Sequence, residues 1–121
     1  PIPWVYGEII RHITATQKVR LVVRNEAEKK KAKDICQRSG VVMKNLSFHV
    51  IPTNRIWLRD SGPIFVNDIS GKSGAKKHML DWRFNAWAKY PNHKLDDKVP
   101  EAFNESMKLT RIQPLHKGKR V

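Results

Sequence analysis

Residues 57–63 read Trp57-Leu58-Arg59-Asp60-Ser61-Gly62-Pro63, which places an aromatic ring, an arginine and a carboxylate together ahead of a Gly-Pro turn. This set can grip a planar guanidinium. The indole offers a stacking face, and the Asp60 carboxylate can accept two parallel N–H donors from the cation. The plainer reading of the same residues is a strand end closed by a Ser-Gly-Pro turn, with Arg59 and Asp60 as a surface ion pair. Composition alone favours the plainer reading.

A second run changes that weighting. Residues 81–91 read Asp81-Trp82-Arg83-Phe84-Asn85-Ala86-Trp87-Ala88-Lys89-Tyr90-Pro91, and Asp96-Asp97 follow shortly after. In this order and at this separation, the two runs resemble the agmatine deiminase and bacterial-type peptidylarginine deiminase family. The matching residues are Trp57, Arg59, Asp60, Gly62 and Pro63, then Asp81, Trp82, Phe84, Asn85, Ala86 and Trp87. A weaker likeness extends upstream from the Pro3-Trp4 helix start through the strand around Val19 to Val23.

The resemblance implies a pentein fold, a five-bladed α/β propeller of ββαβ modules around a substrate cavity, of which this chain is the first blade or two. It implies hydrolysis of a guanidinium, with agmatine giving N-carbamoylputrescine and ammonia in putrescine biosynthesis, and it implies no cofactor. In such chemistry a cysteine thiolate attacks the guanidinium carbon, a histidine moves protons and two carboxylates hold the nitrogens. On this chain Asp60 matches the first carboxylate and is the one expected catalytic residue. Trp57, Asp60 and Trp87 are expected to contact substrate, while Arg59, Gly62, Pro63 and Asn85 support the loops. The family's nucleophile, histidine and second carboxylate fall beyond Val121, so residues 1–121 are expected to form a partial deiminase domain that is inactive alone.

Three departures from the family pattern bear on substrate. Arg55 stands where an acidic residue is frequent, Ala88 where glycine is usual and His93 where tryptophan is common. A cation at residue 55 would repel a cationic substrate by about 1 kcal/mol at ~4 Å in water. In the peptidylarginine branch, arginines of the second run hold the substrate carboxylate. Ala86-Trp87-Ala88 supplies no such cation, which favours agmatine.

These residues need elements to position them. Trp4 to Thr14 carries Trp4, Val5, Ile9, Ile10 and Ile13 at helical spacing after Pro3, so a helix with one face on a sheet is expected. Lys18 to Arg24 reads as a buried strand. Asn25 should cap a helix running to about Arg38, stopped by Gly40, with Ala32, Ile35 and Cys36 as a thin apolar face. Leu46 to Ile51 is the next strand, Ile64 to Val66 another, and His78 to Trp82 its partner across a polar loop. Gly71-Lys72-Ser73 resembles the end of a phosphate-binding loop, but Val66 occupies the position of the first glycine, so the match fails. Asp96 to about Leu109 is a helix with Val99, Phe103 and Met107 inward, and the last dozen residues read as irregular. Trp82 and Phe84 alternate with Arg83 and are expected in the core, with Trp87 nearer the cavity. This order gives the α/β class with a partly parallel sheet.

Composition sets the remaining bounds. The 121 residues suffice for one domain, and 40% hydrophobic residues with four tryptophans indicate a packed chain. No apolar stretch has membrane-spanning length and no export signal is visible, so a cytoplasmic protein is expected. The single cysteine, Cys36, cannot form an internal disulfide; buried beside Ala32 and Ile35, it should be inert rather than nucleophilic. Five scattered histidines offer no metal-ligand spacing. Asn45-Leu46-Ser47 and Asn104-Glu105-Ser106 fit the glycosylation pattern by chance.

The formal charge of +13 would attract polyanions. Its lysines lie in a helix, a turn and the tail without interleaved aromatics, so nucleic-acid binding is possible but not favoured. The rival readings are a non-catalytic basic binding module and a structural half that needs a partner chain. A small guanidinium substrate and a possible homo-oligomer complete the expected partners.

Overall fold

A computed structural model of the chain describes residues 2–70 and 76–121, which fall into two compact units, residues 1–51 and 52–121. The loop run Gly71-Lys72-Ser73 lies outside the described residues.

In the first unit, helix α1 (Ile2–Thr14) leads into β1 (Val19–Val23), helix α2 (Glu26–Arg38) and β2 (Leu46–Val50), with β1 and β2 paired in parallel. Local chemistry accounts for the ends of α2. The Asn25 Oδ1 accepts the Glu28 amide at 2.8 Å, as an N-cap should, and Gly40 sits at φ +73, past the last turn. At Gly7 an added Cβ would lie 2.4 Å from Ser39 Oγ and 3.2 Å from Ile35 Cγ2, so glycine lets α1 approach the end of α2 without moving those side chains.

The unit's core is Ile10, Cys36 and Val41, with Val19, Leu21, Met43 and Leu46 packed against it. Buried Thr14 ties the unit together. Its hydroxyl donates to Ile10 O at 2.8 Å and accepts from Val42 N at 3.2 Å, while its carbonyl accepts from Asn45 Nδ2 at 2.8 Å. The expected apolar face of α1 is only partly covered: Ile10 is buried, but Trp4, Val5, Ile9 and Ile13 are exposed. A sheet of two strands can cover one row of a helix and not the whole face.

The second unit contains the one-turn helix α3 (Leu58–Ser61), β3 (Ile64–Asp68), β4 (Lys76–Leu80), helix α4 (Val99–Met107) and β5 (Thr110–Ile112). β3 pairs antiparallel with β4, and β4 pairs in parallel with β5, a strand-strand-helix-strand module with β4 at its centre. Met79 of β4 and Val99 of α4 are fully buried, and Phe103 of α4 is buried with its ring edge-on to Phe65 at 6.4 Å. All five residues of β3 are exposed.

The last residues are more ordered than expected. Besides β5 they form a hairpin of β6 (Leu115–His116) and β7 (Lys119–Arg120), joined by Lys117 and Gly118 at φ 49 and 75. Two consecutive left-handed residues are what a tight antiparallel turn requires. The helix expected at 96–109 begins as a 3₁₀ turn at Asp96–Lys98 and ends at Met107, where Asn104 bonds Leu109 through both its amide nitrogen and oxygen. Asn45 and Asn104 therefore both use their side-chain amides inside the fold. No helix among the described residues is long and apolar enough to cross a membrane. The described residues are mixed α/β, as expected, and do not themselves display a propeller.

Candidate functional site

Both runs singled out in the sequence lie in the second unit, and side chains stitch them together. Asp96 is buried and accepts the backbone amides of Asn54 at 2.7 Å and Arg55 at 3.0 Å. Asn54 returns the link, its Oδ1 accepting the Leu95 amide at 3.0 Å. The Arg55 guanidinium lies 3.5 Å from Asp96, donates to Asn92 O and Oδ1 at 2.6 and 2.7 Å, and stacks over the Tyr90 ring at 4.5 Å. Arg55 is therefore a tie between the two runs rather than a free cation at a cavity entrance.

The first run closes as one helical turn. Asp60 and Ser61 both donate their amides to Trp57 O, at 3.1 and 3.2 Å. Gly62 donates to Leu58 O at 2.8 Å, and an added Cβ there would lie 2.3 Å from that oxygen. Glycine is thus required by close backbone approach, not by its φ of −77. Its ψ of 166 is the extended conformation that Pro63 imposes on its neighbour. Asp60 and Arg59 are both exposed, and neither side chain makes a hydrogen bond or ion pair among the described residues. No loop-fixing contact of the Arg59 side chain is seen among the described residues; the turn is closed by the Gly62 amide on Leu58 O.

The second run is anchored by buried carboxylates. Asp81, 1% exposed, is bonded by Arg111 at 2.9 Å, Arg120 at 2.7 Å and Gln113 at 2.9 Å. Arg120 also reaches Asp97 at 3.1 Å, and Asp97 accepts the Phe84 amide at 2.7 Å. Because Asp81 takes the inward position, Trp82 is turned out and 46% exposed. The expectation that Trp82 is core fails: the segment 81–85 is not a strand, and burial along it does not alternate, with Trp82 and Arg83 both exposed and Phe84 partly covered. Phe84 is half-buried.

After Asn85 the chain makes a left-handed turn, with Ala86, Trp87 and Ala88 at φ 52, 57 and 55. The Ala88 amide bonds Asn85 O at 3.1 Å and Oδ1 at 3.3 Å, so Asn85 braces the turn. Left-handed conformation costs an L-residue roughly 1–2 kcal/mol, which gives a physical reason for glycine being usual where Ala88 stands. Ala86 is completely buried and serves as the pivot.

This turn throws the Trp87 ring outward into an aromatic group. Trp87 lies 5.4 Å from Trp57, 5.3 Å from Phe84 and 6.3 Å from Tyr90, the latter two edge-on. Trp57 and Trp87 remain 50% and 46% exposed. An open aromatic shelf shared by the two runs results, and Asp60 follows one turn after Trp57. An adjoining open depression of about 460 Å³ is lined by Arg83, Asn85, Ala88, Lys89, Tyr90, Pro91 and His93. Trp57, Asp60 and Trp87, the residues expected to contact substrate, do not line it.

Other candidate groups are placed as follows. Cys36 is buried in the first unit, where burial pushes its thiol pKa up, and this disfavours the thiolate. Among the described residues no cluster of three or more His, Cys, Asp or Glu could hold a metal ion. Sequence reasoning missed the roles of Asp81, Asp96, Arg111 and Arg120.

The model of the Porphyromonas-type peptidyl-arginine deiminase family matches residues 1–117. A curated Selenomonas ruminantium protein named "Putative agmatine deiminase" is 32% identical over 102 residues, covering 80% of this chain and 26% of that protein. The solved agmatine deiminase of C. jejuni is 29% identical with a TM-score of 0.67, over 97% of this chain and 32% of that one. The agmatine deiminase of Enterococcus faecalis, 22% identical, shares the fold with a TM-score of 0.67 over 88% of this chain and 27% of its own. The chain spans about a third or less of the length of these relatives.

Proposed function

This chain belongs to the Porphyromonas-type peptidyl-arginine deiminase family, and from that membership we propose that it supplies the guanidinium-holding part of an agmatine-hydrolysing deiminase. Trp57 and Trp87 form the aromatic wall on which the cation stacks, and the Asp60 carboxylate accepts N–H bonds from its edge. The observation that carries this reading is the Trp57–Trp87 contact at 5.4 Å, which joins the two runs, with Asp60, exposed and without a side-chain partner among the described residues, following Trp57 by one turn. Agmatine is the proposed ligand because its guanidinium needs no partner for a carboxylate at Ala86-Trp87-Ala88, and because several relatives bear the name agmatine deiminase.

Holding the guanidinium orients its carbon but does not break a C–N bond. The attacking thiolate and the proton-moving histidine are proposed to come from further polypeptide, since Cys36 is buried with its thiol pKa raised. The exposed apolar residues of each unit support this. Val5, Ile9 and Ile13 on α1, and Ile64, Phe65 and Val66 on β3, are exposed apolar side chains that further polypeptide could cover. The strand-strand-helix-strand order of the second unit supports its being one module of a pentein propeller. The whole protein would then act in putrescine formation in the cytoplasm.

Ammonia release from agmatine tests the proposal. The 121-residue chain should give none, while the chain joined to the remaining two thirds of a family member should give it and lose it on Asp60→Ala. Turnover by the chain alone, surviving both Asp60→Ala and Cys36→Ser, would overturn the assignment.

A further inference from the structure

Arg55, Tyr90, Trp87 and Trp57 close a circuit around the aromatic shelf. The Arg55 guanidinium stacks over the Tyr90 ring at 4.5 Å, Tyr90 meets Trp87 edge-on at 6.3 Å, and Trp87 lies 5.4 Å from Trp57. Trp57 follows Arg55 closely in the chain, so the backbone itself completes the loop. Arg55 is fixed at both ends. Its amide donates to Asp96 Oδ1 at 3.0 Å, and the two arms of its guanidinium donate to Asn92 O and Oδ1 at 2.6 and 2.7 Å. The second oxygen of buried Asp96 lies 3.5 Å from the guanidinium. One residue thus holds both the backbone that leads to Trp57 and the ring that abuts Trp87.

The left-handed turn gives this circuit its task. Ala86, Trp87 and Ala88 stand at φ 52, 57 and 55, and successive L-residues in that region persist only where the surroundings hold them there. Asn85 braces the leading side through the Ala88 amide. On the trailing side Tyr90 touches Trp87, and its ring face carries Arg55. We propose that Arg55 is a positioning residue: by holding Tyr90 it keeps the Trp87 indole against Trp57, and so sets the affinity of the shelf for a guanidinium. The affinity half of this inference rests on the reading of Trp57, Trp87 and Asp60 as a guanidinium surface; the geometric half does not. Lysine cannot take the place of Arg55. An ammonium keeps the charge beside Asp96, but it has no planar fork to span the two Asn92 oxygens and no flat face to lie on Tyr90.

The test reads two signals from the 121-residue chain by NMR: the cross-peaks between the Trp57 and Trp87 indoles without ligand, and the affinity for agmatine. Arg55→Lys should weaken the cross-peaks and bind agmatine about fivefold more weakly, the loss expected when one stacking face is misplaced. Its β4 and β5 amide signals should stay those of the folded chain. Tyr90→Leu should do the same, and the Arg55→Lys, Tyr90→Leu double variant should be no worse than either single one, because the two residues act in series. Lys30→Gln, which removes an exposed cation of α2, should change neither signal. Wild-type cross-peaks in Arg55→Lys overturn the proposal, as do additive effects in the double variant. If Arg55→Lys loses the β4 and β5 signals, Asn92→Ala is read instead, since it keeps the Arg55 charge and removes one acceptor of the fork; unchanged cross-peaks there overturn the proposal equally. Failure of the wild-type chain to bind agmatine counts against the guanidinium reading alone, because the cross-peaks are measured without ligand. Agmatine binding that is equal in wild type and Arg55→Lys leaves that reading standing and overturns this one.

Discussion

The Trp57 and Trp87 rings lie 5.4 Å apart at an interplanar angle of 54°, although thirty residues of chain separate them. The contact is made possible by opposite devices. Trp57 sits at the start of a turn closed by Gly62, while Trp87 sits inside three successive left-handed residues. Two strained or crowded backbones aim two indoles at one surface and leave both half exposed. A contact made only for stability would have buried them.

Removing either ring should therefore cost little on its own, and the pair should be coupled. In a double-mutant cycle of Trp57→Ala and Trp87→Ala, the interaction free energy is expected at about 0.5–1.5 kcal/mol. Urea denaturation of the four proteins measures it. A coupling of zero would mean that the rings do not touch.

Asp81 should be far more costly to lose. Replacing it with alanine leaves Arg111, Arg120 and the Gln113 amide without their shared acceptor. The expected destabilisation is about 3 kcal/mol, since removing one partner of a buried pair strands the other's charge. Asp68→Ala, at an exposed carboxylate, should cost well under that and serves as the control.

The left-handed turn predicts an order of stability at residue 88. Glycine relieves a strain of about 1 kcal/mol but adds roughly 0.5–1 kcal/mol of unfolded-state entropy, so Ala88→Gly should be neutral to slightly stabilising. A β-branched residue at positive φ is a genuine outlier. Ala88→Val should therefore be the least stable of the three by chemical denaturation.

Gly62→Ala tests the other backbone. Its φ of −77 suits alanine, yet the new Cβ would meet Leu58 O at 2.3 Å. A loss of more than ~1 kcal/mol is expected from crowding alone. A neutral result would mean that the turn opens readily and that Asp60 is not held beside Trp57.

Cys36 links burial to pH. Its thiol pKa is raised by desolvation, so the folded state binds the thiol proton more tightly than the unfolded state. The resulting stability is fully present below the unfolded thiol pKa and is lost as pH rises through the folded one. Cys36→Ala should flatten the alkaline end of the stability profile, and native Cys36 should label slowly with a thiol reagent at neutral pH.

What the sequence revealed, and what it hid, follows the range of each interaction. Asn25 and Gly40 end α2 by contacts within a few residues, so both were legible. Gly62 was legible by its place before Pro63 in the turn, while the clamp residues Trp57, Asp60 and Trp87 were singled out by resemblance. Asp81 and Asp96 were present in the quoted runs, but their partners Arg111, Arg120, Asn54 and Arg55 are 30 to 42 residues away. No local pattern announces such a pairing. Trp82 was misread because strand alternation does not apply to the irregular segment 81–85, where Trp82 is exposed and Phe84 half-buried. β5 to β7 were hidden because two- and three-residue strands are too short to show a period. Arg55 looked like a free cation because its stacking on Tyr90 depends on tertiary structure.

The most direct test of the account is agmatine binding to the 121-residue chain, read from the Trp57 and Trp87 indole signals by NMR. Saturable shifts of both indoles are expected, abolished by Asp60→Ala and nearly abolished by Asp60→Asn, whose amide loses the charge-assisted bond and presents a donor to a donor. Equal shifts in the wild-type and Asp60→Ala chains, or shifts that bypass both tryptophans, would contradict the assignment of this surface to the guanidinium.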